Sequence, residues 1–126
     1  MKLSTLLTLN AIVSLVYGIG FVLVPATILS IYGMSPGPSI NLMGQFFGVE
    51  LIAVGLLSWF ARFVQDSYAE RAIIQAFLIS VVIGLIVSLM GVLSGAFSAV
   101  GWSAVLIYLF FSLGYAYFQF IKPGAA

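Results

Sequence analysis

Residues 40–63 read INLMGQFFGVELIAVGLLSWFARF, an apolar stretch long enough to cross a bilayer. A helical span needs about 20 residues to cross a hydrocarbon core of about 30 Å. Near the centre of the stretch lies Glu50, the only charged residue between Lys2 and Arg62. A charged side chain at the bilayer midplane costs roughly 2.5 to 3.5 kcal/mol on insertion scales, so such residues usually face a bundle interior or a water-filled cavity. Glu50 is therefore the leading candidate for a functional residue.

The composition of the whole chain is that of an integral membrane protein. Hydrophobic residues make up 63% of the 126 residues and charged residues 6%, with a mean hydropathy of +1.28. A soluble domain does not combine such values. The length accommodates four spans with short connections. We predict an all-α, four-helix transmembrane bundle forming a single domain, with spans over residues 3–24, 40–63, 68–92 and 101–120.

The connection between the first two spans has a distinct composition. Residues 25–39 are uncharged and contain Pro25, Pro36 and Pro38, which interrupt a helix and mark a loop. The first part, residues 26–32, is apolar. We predict that it forms a short segment lying in the membrane interface.

The basic residues predict the orientation of the spans. If every span crosses the membrane, Lys2, Arg62, Arg71 and Lys122 all fall on one side, and the two loops on the other side carry no charge. Loops rich in Lys and Arg stay in the cytoplasm. We therefore predict that both termini are cytoplasmic.

Residues 1–26 have an alternative interpretation as a secretory signal peptide. Lys2, the apolar stretch and the run Val24-Pro25-Ala26 resemble the three regions of such a signal. The apolar stretch is longer than the usual 7 to 15 residues of the apolar region of a signal, about 20 here, so we favour a span.

Polar side chains form stripes on two of the spans, since helical residues three, four and seven apart share a face. Asn10, Ser14 and Tyr17 form one stripe, and Tyr108, Ser112, Tyr115 and Gln119 form another. We predict that both stripes line an internal cavity with Glu50, and that Asn10 and a tyrosine hydrogen-bond the carboxyl. The predicted ligand-binding or proton-binding residues are Glu50, Asn10, Tyr17, Tyr108 and Tyr115. Alternatively, the stripes only hold helices together, because interhelical hydrogen bonds, averaging about 0.6 kcal/mol, also occur in structural bundles.

Small residues predict close helix packing in the second and third spans. The predicted packing residues are Gly44, Gly48 and Gly55 in the second span and Ser80, Gly84 and Ser88 in the third. The step from Gly48 to Glu50 rotates by about 200 degrees around the helix. Either Glu50 faces the interior and the glycine face is free for another chain, or the glycine face packs inside and Glu50 needs an outside partner. Besides membrane lipids, we therefore predict a homo-oligomer or a partner membrane protein.

Two missing residue types exclude several functions. The chain has no histidine and no cysteine, so it lacks the usual ligands of haem, zinc and iron-sulfur clusters and the residues of Ser-His-Asp or Cys-His catalysis. We predict no metal, no cofactor and no enzymatic activity. The four basic residues are scattered, which argues against binding of nucleic acid.

The first half of the chain carries several positions that occur together in a known group. They are Asn10, the run YGIG at 17–20 leading to Pro25, the pair Tyr32-Gly33, and the run GVEL at 48–51 continued through Gly55 to WFAR at 59–62. In these positions and its four-span layout the chain resembles the small bacterial membrane proteins grouped as DoxX-like. The resemblance implies a four-helix bundle in the bacterial inner membrane and no particular activity.

Two functional hypotheses follow. The leading one is a non-enzymatic membrane protein that acts by helix association, as an oligomer or an accessory subunit, and that could hold a lipid-like molecule. The alternative is a proton-coupled transporter of small amphipathic or cationic solutes, in which Glu50 binds a proton and substrate in turn. Small multidrug transporters resemble this chain in length, four spans and one embedded glutamate, although their glutamate lies in the first span.

Overall fold

Five α-helices make up the computed structural model, which describes residues 1–121. They are α1 (Leu3–Leu23), α2 (Pro25–Ile31), α3 (Pro38–Ala61), α4 (Ser67–Leu93) and α5 (Gly101–Ala116), which continues as a π-helical turn (Tyr117–Ile121). Four of the helices, α1, α3, α4 and α5 with its π-helical turn, are long and apolar enough to cross a membrane. The all-α prediction with four candidate spans is therefore confirmed, and it indicates a multi-pass membrane protein. Lys122, one of the four basic residues used for orientation, lies outside the described residues.

Three of these helices have a proline or an aspartate at their N-terminal end. Pro25 and Pro38 are the first residues of α2 and α3, where the missing N–H needs no partner and the fixed φ suits a helix. For this reason α3 begins two residues before the predicted span. Asp66 precedes α4, and its carboxylate accepts a hydrogen bond of 2.9 Å from the Tyr68 N–H. The segment expected to lie in the interface corresponds to α2, a helix of 7 residues.

The helices α1 and α3 form a tightly packed antiparallel pair through the glycine face of α3. A Cβ added to Gly48 would lie 2.6 Å from the carbonyl oxygen of Gly18, and a Cβ on Gly55 would lie 2.6 Å from the Leu15 side chain. A Cβ on Gly44 would make an ordinary contact, 3.4 Å from the Phe21 ring, so Gly44 also faces α1. The glycine face therefore packs within the chain, and the alternative in which it is free for a second protomer does not hold.

The helices α4 and α5 form a second antiparallel pair. The ring of Tyr108 lies directly over Gly84, where even a Cβ would overlap it. Ser88, one turn further along α4, is buried. Ser80 differs from these two predicted packing residues because it is exposed, although its hydroxyl, like that of Ser88, donates to a carbonyl of its own helix.

The two helix pairs are joined at both ends of the bundle and stand apart between them. The charged end carries Lys2, Arg62, Asp66, Glu70 and Arg71. Beside it lies a hydrophobic core from all four long helices, made of Leu3, Leu6, Leu7, Ala61, Ile74, Phe77, Val81, Phe111, Tyr115 and Phe118. At the uncharged end, the Ser98 N–H donates to the Tyr32 carbonyl at 2.8 Å. Between these ends α3 and α4 scarcely touch.

We predict that Gly48→Ala destabilises the bundle by roughly 1 to 3 kcal/mol, because the added Cβ meets a backbone oxygen that moves only if α1 and α3 separate. Gly37→Ala is the matched control, since its Cβ would find its nearest neighbour, a methyl of Ile40, at 4.0 Å. Unfolding in mixed micelles, followed by circular dichroism, measures both variants. Equal stability of the two would contradict the backbone contact.

Candidate functional site

A cavity of about 570 Å³ lies between the two helix pairs. Its size falls in the range of about 300 to 1,000 Å³ that is usual for small-molecule sites. The lining is mostly aliphatic and aromatic. The polar residues that line it are Asn10, Ser14, Tyr17, Tyr32, Glu50, Ser80, Ser88 and Tyr108. The structure thus brings four of the five predicted site residues to one cavity; Tyr115 is buried in the hydrophobic core instead.

The cavity opens sideways between α3 and α4. The hydrophobic core closes the charged end, and α2 with the turn between α4 and α5 closes the opposite end. Along the gap, lining residues of both helices are exposed: Met43 by 67%, Phe47 by 45% and Val87 by 61%. In a protein whose long helices cross a membrane, this opening faces the hydrocarbon of the bilayer.

Glu50 lines the cavity and is exposed. It lies on the side of α3 that is turned about 200 degrees from the glycine face packed against α1. Among the hydrogen bonds and ion pairs within residues 1–121, none involves its carboxyl. Of the two arrangements left open by the sequence, the structure therefore has the second, in which Glu50 lacks a partner within the described chain.

Asn10 is paired with a tyrosine rather than with Glu50. Its side-chain amide donates to the Tyr115 hydroxyl at 2.7 Å, and its amide oxygen accepts from the Ser14 hydroxyl at 3.1 Å. All three side chains are buried. The predicted hydrogen bond from Asn10 to the Glu50 carboxyl is therefore wrong. The Asn10 amide instead joins α1 to α5, and thereby one helix pair to the other.

Tyr17 belongs to a hydrogen-bonded chain that crosses the uncharged end of the cavity. The hydroxyls of Tyr17 and Tyr32 lie 3.0 Å apart, and that of Tyr32 lies 3.2 Å from the Ser103 hydroxyl. Burial raises the pKa of Tyr32 to about 12, against the opposing effect of the hydrogen bond to Ser103. These hydrogen bonds connect α1, the end of α2 and α5. Sequence reasoning missed Tyr32 as a cavity residue, since no pattern places it beside Ser103.

Tyr108 is the other predicted site residue that presents an unpaired polar group to the cavity. Gly84 leaves room for its ring against α4, and no hydrogen bond within residues 1–121 involves its hydroxyl. Ser112 and Gln119, which share its stripe, do not line the cavity. Among the polar residues that line the cavity, Glu50 and Tyr108 are therefore the two without a hydrogen-bond partner within residues 1–121.

Comparisons with family models, with curated proteins and with solved structures find no match to this chain. The resemblance to DoxX-like proteins stays a prediction. The cavity and its two free polar groups are the basis on which a function can be proposed.

We predict that Tyr115→Phe lowers the stability of the bundle by about 1 kcal/mol, because it leaves the buried Asn10 amide without its acceptor. Tyr68→Phe is the control with the same chemical change, since Tyr68 is 88% exposed. Unfolding in mixed micelles measures both. A loss of stability as large in the control as in Tyr115→Phe would show that the hydrogen bond does not join the pairs.

Proposed function

We propose that the protein is a non-enzymatic membrane protein that binds a lipid-like amphipathic molecule in the cavity between its helix pairs. The observation that carries the proposal is the sideways opening between α3 and α4, where Glu50 has no partner within the described residues. The apolar part of the ligand lies along the aliphatic and aromatic lining. Its polar group contacts Glu50 and Tyr108.

In a bilayer, most of the selectivity for a ligand depends on Glu50 and Tyr108. An apolar chain gains little free energy by leaving lipid for an apolar cavity, because lipid tails are as apolar as leucine. An unpaired carboxyl in hydrocarbon is costly, however, and a ligand that hydrogen-bonds it removes part of that cost. Binding is therefore governed by the head group, and the cavity supplies shape.

The positions of the charges support the proposed topology. Lys2 immediately precedes α1, Arg62 immediately follows α3, and Arg71 lies in the second turn of α4, all at one end of the bundle. Under the positive-inside rule, this distribution supports a cytoplasmic location for that end. We propose a location in the bacterial inner membrane with the N-terminus inside and, since α5 returns to the charged end, the C-terminus inside as well.

Association with other chains is the second part of the proposal. The sequence favoured association because the glycine face of α3 could be free for another chain. That argument is weakened, because the glycine face packs against α1. The gap between α3 and α4 supports it instead, since a helix of a second copy or of a partner protein could cover the opening. In that arrangement the added chain, rather than a lipid-like molecule, would face Glu50.

We predict that the wild-type protein, released from gentle detergent in native mass spectrometry, retains one amphipathic molecule per chain. Glu50→Gln loses it, because a neutral amide cannot replace the carboxyl. Glu70→Gln is the matched control, since Glu70 lies at the charged end, outside the cavity lining. A wild type that carries no molecule contradicts ligand binding; a ligand-free dimer would assign the opening to helix association.

One observation also favours proton-coupled transport of small amphipathic or cationic solutes. The Glu50 carboxyl lines an open cavity without an internal partner, so it is free to exchange a proton for a cation. We predict that proteoliposomes with an imposed pH gradient accumulate a lipophilic cation such as ethidium. Glu50→Gln should abolish uptake and Glu70→Gln should not. Uptake that survives in Glu50→Ala excludes this function.

A further inference from the structure

The cavity has an unbalanced set of charges. Glu50 is the only charged residue among those that line it. The basic residues of the described chain are Lys2, Arg62 and Arg71, and none of them lines the cavity. Arg62 is also engaged elsewhere, because its guanidinium lies 3.5 Å from the centre of the Trp59 ring. Nothing within residues 1–121 therefore neutralises the Glu50 carboxylate.

Aromatic rings line the same cavity as this carboxylate. Phe47 precedes Glu50 by one helical turn on α3, and it is held by an edge-on contact with Phe21, with ring centres 5.1 Å apart. Tyr108 faces the cavity from α5, supported by Gly84. The faces of aromatic rings attract cations, and quaternary ammonium groups are commonly bound by such rings.

We infer that the site selects amphiphiles with a single positive charge, an alkylammonium head group on an apolar chain, over neutral, zwitterionic and anionic ones. This inference rests on the proposed function. A cation pairs with the Glu50 carboxylate in a medium of low dielectric constant, where the attraction is far stronger than in water. An anionic head group, or the phosphate of a zwitterionic one, would meet the carboxylate with no basic side chain beside it.

The test uses four probes with the same hexadecyl chain: hexadecyltrimethylammonium, hexadecanol, hexadecylphosphocholine and hexadecanoate. Each is added at equal mole fraction to the full-length protein in dodecyl maltoside, whose head group is uncharged. Native mass spectrometry then gives the bound fraction. We expect at least tenfold more bound cation than any other probe. We also expect Glu50→Gln to lower the bound fraction of the cation at least tenfold and to leave the bound fraction of hexadecanol unchanged.

Unfolding in mixed micelles, followed by circular dichroism, shows whether Glu50→Gln is folded, so that a lost cation is not attributed to unfolding. Phe47→Leu keeps the carboxyl and removes only the ring, and we expect it to lower cation binding several-fold without affecting hexadecanol. If any of the other three probes binds as well as the cation, or if Glu50→Gln retains the cation, charge selection is overturned while ligand binding stands. If the wild type binds none of the four, the proposed function fails with it.

Discussion

Close contact between the backbones of Gly18 and Gly48 is the constraint on which the rest of the arrangement depends. A side chain at either position would meet a carbonyl oxygen of the facing helix, so α1 and α3 pack this closely only where both residues are glycine. The glycine face of α3 is therefore packed against α1. Because Glu50 lies about 200 degrees around the helix from Gly48, it is turned away from α1, and any partner for its carboxyl must come from the other side.

The polar residues of α1 and α5 divide into two groups with different physical roles. Asn10 and Tyr115 are buried and hydrogen-bonded to each other, which joins the two helix pairs near the charged end. At the uncharged end Tyr32, which contacts Tyr17, joins the pairs through the hydroxyl of Ser103 on α5. These contacts hold the pairs together at their ends and leave the middle separated. Among the polar residues that line the space that results, Glu50 and Tyr108 have no hydrogen-bond partner within residues 1–121.

Long apolar runs were sufficient to predict four helices, because in a membrane chain hydropathy and length alone determine which segments can span. Glu50 was equally recognisable as a lone charge. The hydrogen-bond partner of Asn10 could not be predicted, because a helical period assigns a residue to a face of its helix but does not identify the helix that packs opposite. The apolar lining was also beyond prediction: Phe47 in the cavity and Phe46 beside it are the same residue type, and hydropathy does not separate a cavity wall from a lipid-facing surface.

The position of Glu50 argues against a purely structural role for the second span. It contributes no internal hydrogen bond among the described residues, and it is exposed at an opening that faces hydrocarbon. Leucine at this position would pack against the same lipid without the cost of desolvating a carboxyl. A chain whose only task was to pack helices would therefore be more stable without the carboxyl. A proton, a cation, a hydrogen-bonding ligand or a helix of a second chain beside the carboxyl would offset this cost, and under the proposed function the stability of the fold then depends on what it binds.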